Sequence, residues 1–356
     1  MKSKNLDIQF FKFLYSCIIV IYHLAAHTSI SCPGGYCGVE FFLLSAGLFL
    51  FMSFEKGEER GKPHTPGQYL FRRFSRFLPW SATGLILTIF VEYVLIKKVA
   101  TFGAWADLFA KGFWEFFMVN MNGMNNDVLL INGPAWTLSA MLIVGFFIWV
   151  LMYYYKKPFI QLIMPLTLVI GFGIWAHLPS ANTERWIGFT NFGTFRTWLI
   201  FCLSYYCLQL GKKMSGVSFT KAGKWGLTIT ELLCHTISLV IIFARAERYY
   251  QWLITFLFGI AIAIAISGHS YLAEFLGKFK GIQFLGDVSM SIYLVHSAVI
   301  LLFLDRFSIK AWGYADLLPL FAAVLVVSLA HYYGTKLIVY ISDKIRPHAR
   351  KVLIKE

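Results

Sequence analysis

Lys12 and His23 stand eleven residues apart in an apolar stretch near the N-terminus. On a helix that spacing is about three turns, so the two share a face and lie roughly 16 Å apart along the axis. Ionisable residues inside a membrane are costly and are functional candidates by default. Glu40 opens the next apolar stretch, within Gly38-Val39-Glu40-Phe41-Phe42, where the helix dipole favours an acid. A carboxylate meeting His23 across the short loop would select one imidazole tautomer and leave the other nitrogen free to take a proton. That pair suits deprotonation of a hydroxyl nucleophile. The same two residues also suit a structural polar contact between helices.

A basic group follows in Phe71-Arg72-Arg73-Phe74-Ser75-Arg76-Phe77-Leu78-Pro79-Trp80. Arg73 and Arg76, three apart, share a helical face. Guanidinium forks match phosphate oxygens, so a phosphate-bearing donor would dock here; the alternative is a topogenic or headgroup-binding cluster. Near the C-terminus, Ser291, Tyr293 and His296 add polar groups to an apolar helix, as site residues or as helix-packing hydrogen bonds. Trp136 fits an interfacial belt. His27 and His269 lie near span ends, while His235 and His331 lie within spans and belong to no readable motif. No pair of histidines at helical spacing has an acidic third ligand, so no metal site is expected. No phosphate-binding or dinucleotide loop motif is present.

These groups need a scaffold, and the composition names it. Of 356 residues, 58% are hydrophobic and only 14% charged, against about 25% charged in soluble domains. Lipid is the natural solvent for such a chain. The formal net charge of +14 is read through the positive-inside rule and not as a nucleic-acid footprint. The first apolar stretch lacks a small-residue cleavage site and reads as a membrane helix.

Ten spans are expected, at 8–27, 38–54, 77–97, 133–155, 159–177, 194–211, 226–244, 250–268, 284–304 and 316–341. The fold class is all-α integral membrane, a single polytopic domain over residues 1–356, with both termini cytoplasmic. This topology puts 21 basic residues inside and nine outside, Arg196 among the nine. The segment 106–121 carries Asp107, Lys111 and Glu115. Making it a span would move Lys156 and Lys157 outside and invert every later loop, so it is expected to be interfacial or re-entrant. The outer connection 98–132 is long, and long loops are often functional. Cys32 and Cys37 flank an outside Pro-Gly-Gly turn, where a disulfide suits the compartment although spacing does not fix its geometry.

Taken together, these segments resemble the acyltransferase-3 family of membrane acyltransferases. The family's Arg, ten residues, His frame is met by Lys12 and His23. Its Gly-Val-acid-Phe-Phe…Ser-Gly stretch is met by Gly38 to Phe42, Ser45 and Gly47. Its Arg-Arg-x-x-Arg-x-x-Pro stretch is met by Arg72, Arg73, Arg76 and Pro79. Its Gly-x-x-Ser-x-x-x-Tyr-Leu-x-His stretch is met by Gly286, Ser289, Tyr293, Leu294 and His296. Two departures stand out: Lys12 keeps the charge but lacks the arginine fork, and Met141 takes the acidic place after Trp136, Leu138 and Ser139.

The resemblance implies ten membrane helices in the inner membrane of a cell. It also implies transfer of an acyl group, usually acetyl from acetyl-CoA, to an extracytoplasmic glycan, glycolipid or small molecule. On that reading His23 and Glu40 are catalytic, and Lys12, Arg72, Arg73 and Arg76 bind the donor. Ser45, Trp136, Tyr293 and His296 touch substrate or support the site. The expected partners are membrane lipid, acyl-CoA and the glycan acceptor, with no nucleic acid and no permanently bound cofactor. The rival reading is a non-catalytic transporter or flippase-like component of polysaccharide assembly, since polar groups in a bundle core also make pathways.

Overall fold

The computed structural model describes residues 5–122, 131–178, 183–244 and 250–353. Its long helices are α1 Leu6–Ala25, α2 Gly38–Glu59, α3 Pro66–Thr88, α5 Trp136–Pro158 and α6 Met164–His177. They continue with α7 Phe192–Ser215, α8 Lys221–Ala244, α9 Gln251–Ser267, α11 Ile282–Arg306 and α12 Leu317–Leu353. Two shorter helices, α4 Phe102–Phe116 and α10 Leu272–Leu276, and a two-stranded ribbon, β1 Trp186–Ile187 with β2 Thr190–Asn191, complete the described chain. Seven helical stretches among the described residues are long and apolar enough to cross a membrane. One of them, Gly133–His177, holds both α5 and α6.

That stretch is two spans. Backbone helicity breaks at Tyr155 (φ −133°, ψ 34°), and a π-helical turn, Phe159–Ile163, follows before α6. Trp136, at the start of α5, lies against Gly193. Trp175, near the end of α6, meets the Phe192 ring at 5.7 Å. Both ends of the run therefore sit at the start of α7, so the chain doubles back between them. The ten expected spans correspond to α1, α2, α3, α5, α6, α7, α8, α9, α11 and α12.

Ion pairs at the helix ends fix their relative direction. Lys212 on α7 meets Glu55 on α2 at 2.6 Å, and Lys156 on α5 meets Glu58 on α2. The C-terminal ends of α2, α5 and α7 thus share one face, the basic one that the positive-inside rule assigns to the cytoplasm. A spanning α4 would reverse α5 and part Lys156 from Glu58. Instead α4 is about 22 Å long and exposes Phe102, Phe109 and Phe113 beside an Asp107–Lys111 pair at 3.1 Å. It is an interfacial helix. The π-helical turn Ile89–Ile96 ends the α3 span just before it.

Close helix approaches use glycine, as in membrane bundles where packing replaces the hydrophobic drive. A Cβ on Gly286 of α11 would lie 2.9 Å from the Cα of Gln9 on α1. A Cβ on Gly47 of α2 would lie 3.1 Å from the Cα of Phe201 on α7. One apolar core joins α1, α2, α5, α7 and α9, and a second joins α1, α11 and α12. Helix α1 belongs to both. Cys32 and Cys37 are buried as free thiols, not a disulfide. Between them the chain turns through Gly35–Cys37, and the Cys32 sulfur packs 2.8 Å from the Cβ position of Gly35.

The topology predicts thiol accessibility. In sealed right-side-out vesicles, cysteine at Asp107 should react with a membrane-impermeant maleimide, and cysteine at Lys157 only after permeabilisation. Labelling of the Lys157 position in intact vesicles would reverse the orientation of α5.

A two-ended candidate active site along the first membrane helix

Lys12 and His23 mark opposite ends of the site. At the inner end, Lys12 accepts company from both signs of charge, with Asp287 of α11 and Arg76 of α3 in electrostatic reach. Its ammonium donates to Gln9 Oε1 at 3.4 Å. Arg73 is in electrostatic reach of Arg76. Its guanidinium lies over the Phe77 ring at 4.5 Å, and its Nε is buried with no hydrogen-bond acceptor. Three cations beside one acid leave a surplus of positive charge, which favours an anion. Arg72 points elsewhere: its Nη1 donates to His64 Nε2 at 2.8 Å. The helix that presents these arginines starts cleanly, because Thr65 and Gln68 form a capping box.

At the outer end, His23 is exposed and His296 is fully buried, and their rings lie 5.0 Å apart. His296 Nδ1 is 2.8 Å from the Tyr293 carbonyl oxygen and 3.2 Å from that of Ile292. Carbonyls only accept, so Nδ1 carries the proton in the neutral ring. Nε2 is left buried and without a partner. The Tyr293 hydroxyl lies within hydrogen-bond reach of Thr137, whose hydroxyl donates to the Pro134 carbonyl at 3.2 Å.

Glu40 does not join His23 by a hydrogen bond among the described residues. Its carboxylate forms an ion pair at 3.2 Å with Arg196, and both side chains are buried, at 0% and 2% exposure. Arg196 also stacks over Trp136 at 5.2 Å and Phe192 at 5.7 Å. Arg196 is therefore not a loop charge that sets topology, as the charge count had it. It lies inside α7, and burial can be borne only because an opposite charge and two aromatic faces replace water. An ionisable residue inside an expected span was the signal for it. Ser45 donates to its own helix, to the Phe41 carbonyl at 2.8 Å.

The described parts of the outer connection, residues 98–122 and 131–132, are tied beside the site, while residues 123–130 lie outside the described residues. Glu115, 1% exposed at the end of α4, accepts from the backbone N–H groups of Ile131 at 3.0 Å and Asn132 at 3.0–3.1 Å. Asn132 Nδ2 then donates to the Leu294 carbonyl at 3.0 Å, two residues before His296. Ser139 accepts from the Met121 amide at 3.0 Å, and Thr194 donates to the Met121 carbonyl at 3.1 Å. The acid read from sequence as a charge against spanning is thus a clamp. Two further histidines tie helices together. His235 bonds Tyr15 at 2.9 Å and stacks on Phe11, while His331 links Thr83 at 2.9 Å and Ser291 at 3.0 Å. No group of three or more His, Cys, Asp or Glu able to hold a metal occurs among the described residues.

The helices form a bundle with surplus positive charge at one end of α1 and a histidine pair at the other. The acyltransferase-3 family model, described as an acyltransferase domain, matches residues 5–333 of the 356, and the chain belongs to that family. It is a multi-pass membrane protein and an acyltransferase. No curated protein and no solved structure matches it.

Two measurements test this geometry. Arg196→Ala leaves the Glu40 carboxylate buried and alone, and should cost about 3 kcal/mol or more of stability, read as a fall in the thermal midpoint of the detergent-solubilised protein. An unchanged midpoint would contradict the ion pair. Burial pushes the Glu115 carboxyl up to about 7, against the pull of the Asn132 and Ile131 amides. A carboxyl raised above its unfolded value of 4.5 costs stability that is regained as pH falls from about 7 to 4.5, on the order of 3 kcal/mol. Glu115→Gln should flatten the pH dependence of the midpoint across that window; an unaltered slope would contradict the burial.

Proposed function

We propose that this acyltransferase moves an acyl group, acetyl in the simplest case, from cytosolic acyl-CoA to a hydroxyl of an extracytoplasmic glycan or glycolipid. The inner membrane is the site of action on this reading. The observation that carries it is the layout of α1, with a cationic cluster at its cytoplasmic end and the His23–His296 pair at its outer end.

Lys12, Arg73 and Arg76 hold the phosphates of the donor, and Arg72 adds positive charge at the mouth. The pantetheine arm runs outward along α1, over a span of roughly 16 Å between Lys12 and His23. His23 takes the proton of the acceptor hydroxyl as its oxygen bonds the thioester carbonyl carbon. The tetrahedral adduct collapses with cleavage of the C–S bond, and the departing thiolate takes that proton back as free CoA. The clamp of Glu115 on Asn132 holds the end of α4 to α11 beside this point, where the acceptor enters. The Glu40–Arg196 pair fixes the start of α2 and α7 around it.

His23→Ala should lower acetyl transfer by about a thousandfold, within the range of general base catalysis, with an unchanged thermal midpoint. Arg73→Ala should raise KM for acetyl-CoA by about tenfold, as expected for loss of a charge-assisted phosphate contact. Native turnover in a folded His23→Ala protein would remove His23 from the chemistry. A native protein that leaves every acyl-CoA intact, with envelope glycans supplied, would favour transport instead.

A further inference from the structure

His296 presents a buried group with no evident purpose. Its Nδ1–H is committed to the backbone of its own helix, to Tyr293 and Ile292 carbonyls at 2.8 and 3.2 Å. Its Nε2 lone pair is fully enclosed and unpartnered. A buried acceptor left unsatisfied is destabilising. A helix-packing role would use this nitrogen, as His331 uses both of its own with Ser291 and Thr83. The ring beside it is His23, with centroids 5.0 Å apart and planes inclined by 44°. The terminal torsion of histidine is soft, so rotation of the exposed ring turns a His23 nitrogen toward the neighbouring imidazole.

We propose that His296 is the positioning residue for His23: its bare Nε2 accepts the N–H of His23 and so leaves the other His23 nitrogen as the base. This rests on the acyl-transfer reading and deepens it. The function expected of a carboxylate is supplied by a second imidazole. Glu40 is occupied with Arg196, and the tautomer of His296 is itself fixed by two main-chain carbonyls. The proton balance is complete. The acceptor O–H gives its proton to His23, the imidazolium is held by hydrogen bonding to neutral His296, and the proton passes to the CoA thiolate as the C–S bond breaks. His296 keeps its Nδ1–H throughout. A neutral partner also suits the apolar surroundings, since no lone anion has to be buried there.

The test separates the two nitrogens by shape. The amide of asparagine overlays imidazole Nδ1, and that of glutamine reaches the Nε2 position. His296→Asn keeps the bond to the Tyr293 carbonyl and loses the acceptor, whereas His296→Gln restores an acceptor oxygen. In the full-length protein in nanodiscs, His296→Asn should lower kcat about a hundredfold, at the lower bound for acid–base catalysis, with KM for acetyl-CoA unchanged. His296→Gln should recover about a tenfold share of that loss, with thermal midpoints of both variants near native. Native kcat in the asparagine variant, or equal loss in both variants, overturns the proposal. Native turnover in His296→Asn beside a dead His23→Ala overturns the role of His296 alone and leaves the acyl-transfer reading standing. A second readout needs no turnover. The 15N signals of labelled His296 should show a protonated Nδ1 and a bare Nε2, and a protonated Nε2 overturns the proposal even if no acyl-CoA is consumed.

Discussion

Helix α1 lies along α11 because Gly286 offers no Cβ where Gln9 must pass, with the Gln9 Cα only 2.9 Å from the Cβ position. That contact sets the register of two helices over their whole shared length. At one end it leaves Lys12 facing Asp287, and at the other it leaves His23 facing His296. In lipid there is no hydrophobic drive between helices, so close backbone approach and buried polar contacts must supply the adhesion. A shift of one turn along this seam would be about 5.4 Å, enough to part the two imidazoles. The site is therefore a property of a helix pair before it is a property of any residue.

Around that seam two buried charges are answered by specific partners. Glu40 and Arg196 neutralise each other and are walled by Trp136 and Phe192. Glu115 is answered by two backbone amides, and through Asn132 it reaches α11 beside the histidines. Half-buried Lys12 and Arg73 and exposed Arg76 differ, with Asp287 the acid in reach of Lys12. Unanswered positive charge at the cytoplasmic end has a cost, and a phosphate-bearing donor would offset it. These three arrangements place rigid walls at the outer end and electrostatic demand at the inner end.

Much of the architecture was legible in the chain itself. Each of the ten expected spans meets a helix, and seven helical stretches among the described residues are long and apolar enough to cross; the placement of α4 outside the bundle follows from where Lys156 and Lys157 must lie. Glu58 on α2 answers that argument directly by pairing with Lys156. Lys12 and His23 could be set on one face by counting turns. The partner of Glu40 could not be read from local spacing, because Arg196 arrives from a helix far along the chain. Nor could the tautomer of His296, which is fixed by main-chain carbonyls that carry no sequence signature. Glu115 was visible as a charge, but its work depends on two amides that fold back to meet it.

The central claim is transfer across the membrane along one helix, and sidedness is its sharpest consequence. The measurement is acetyl transfer in sealed vesicles of known orientation, with radiolabelled acetyl-CoA supplied only at the face bearing Arg72, Arg73 and Arg76. Glycan acceptor is supplied only at the opposite face. The account predicts label on the glycan while the acetyl-CoA itself stays on its own side. An unlabelled glycan here, with label appearing once the glycan is moved to the donor's face, would contradict it, because His23 would then be open to the wrong side.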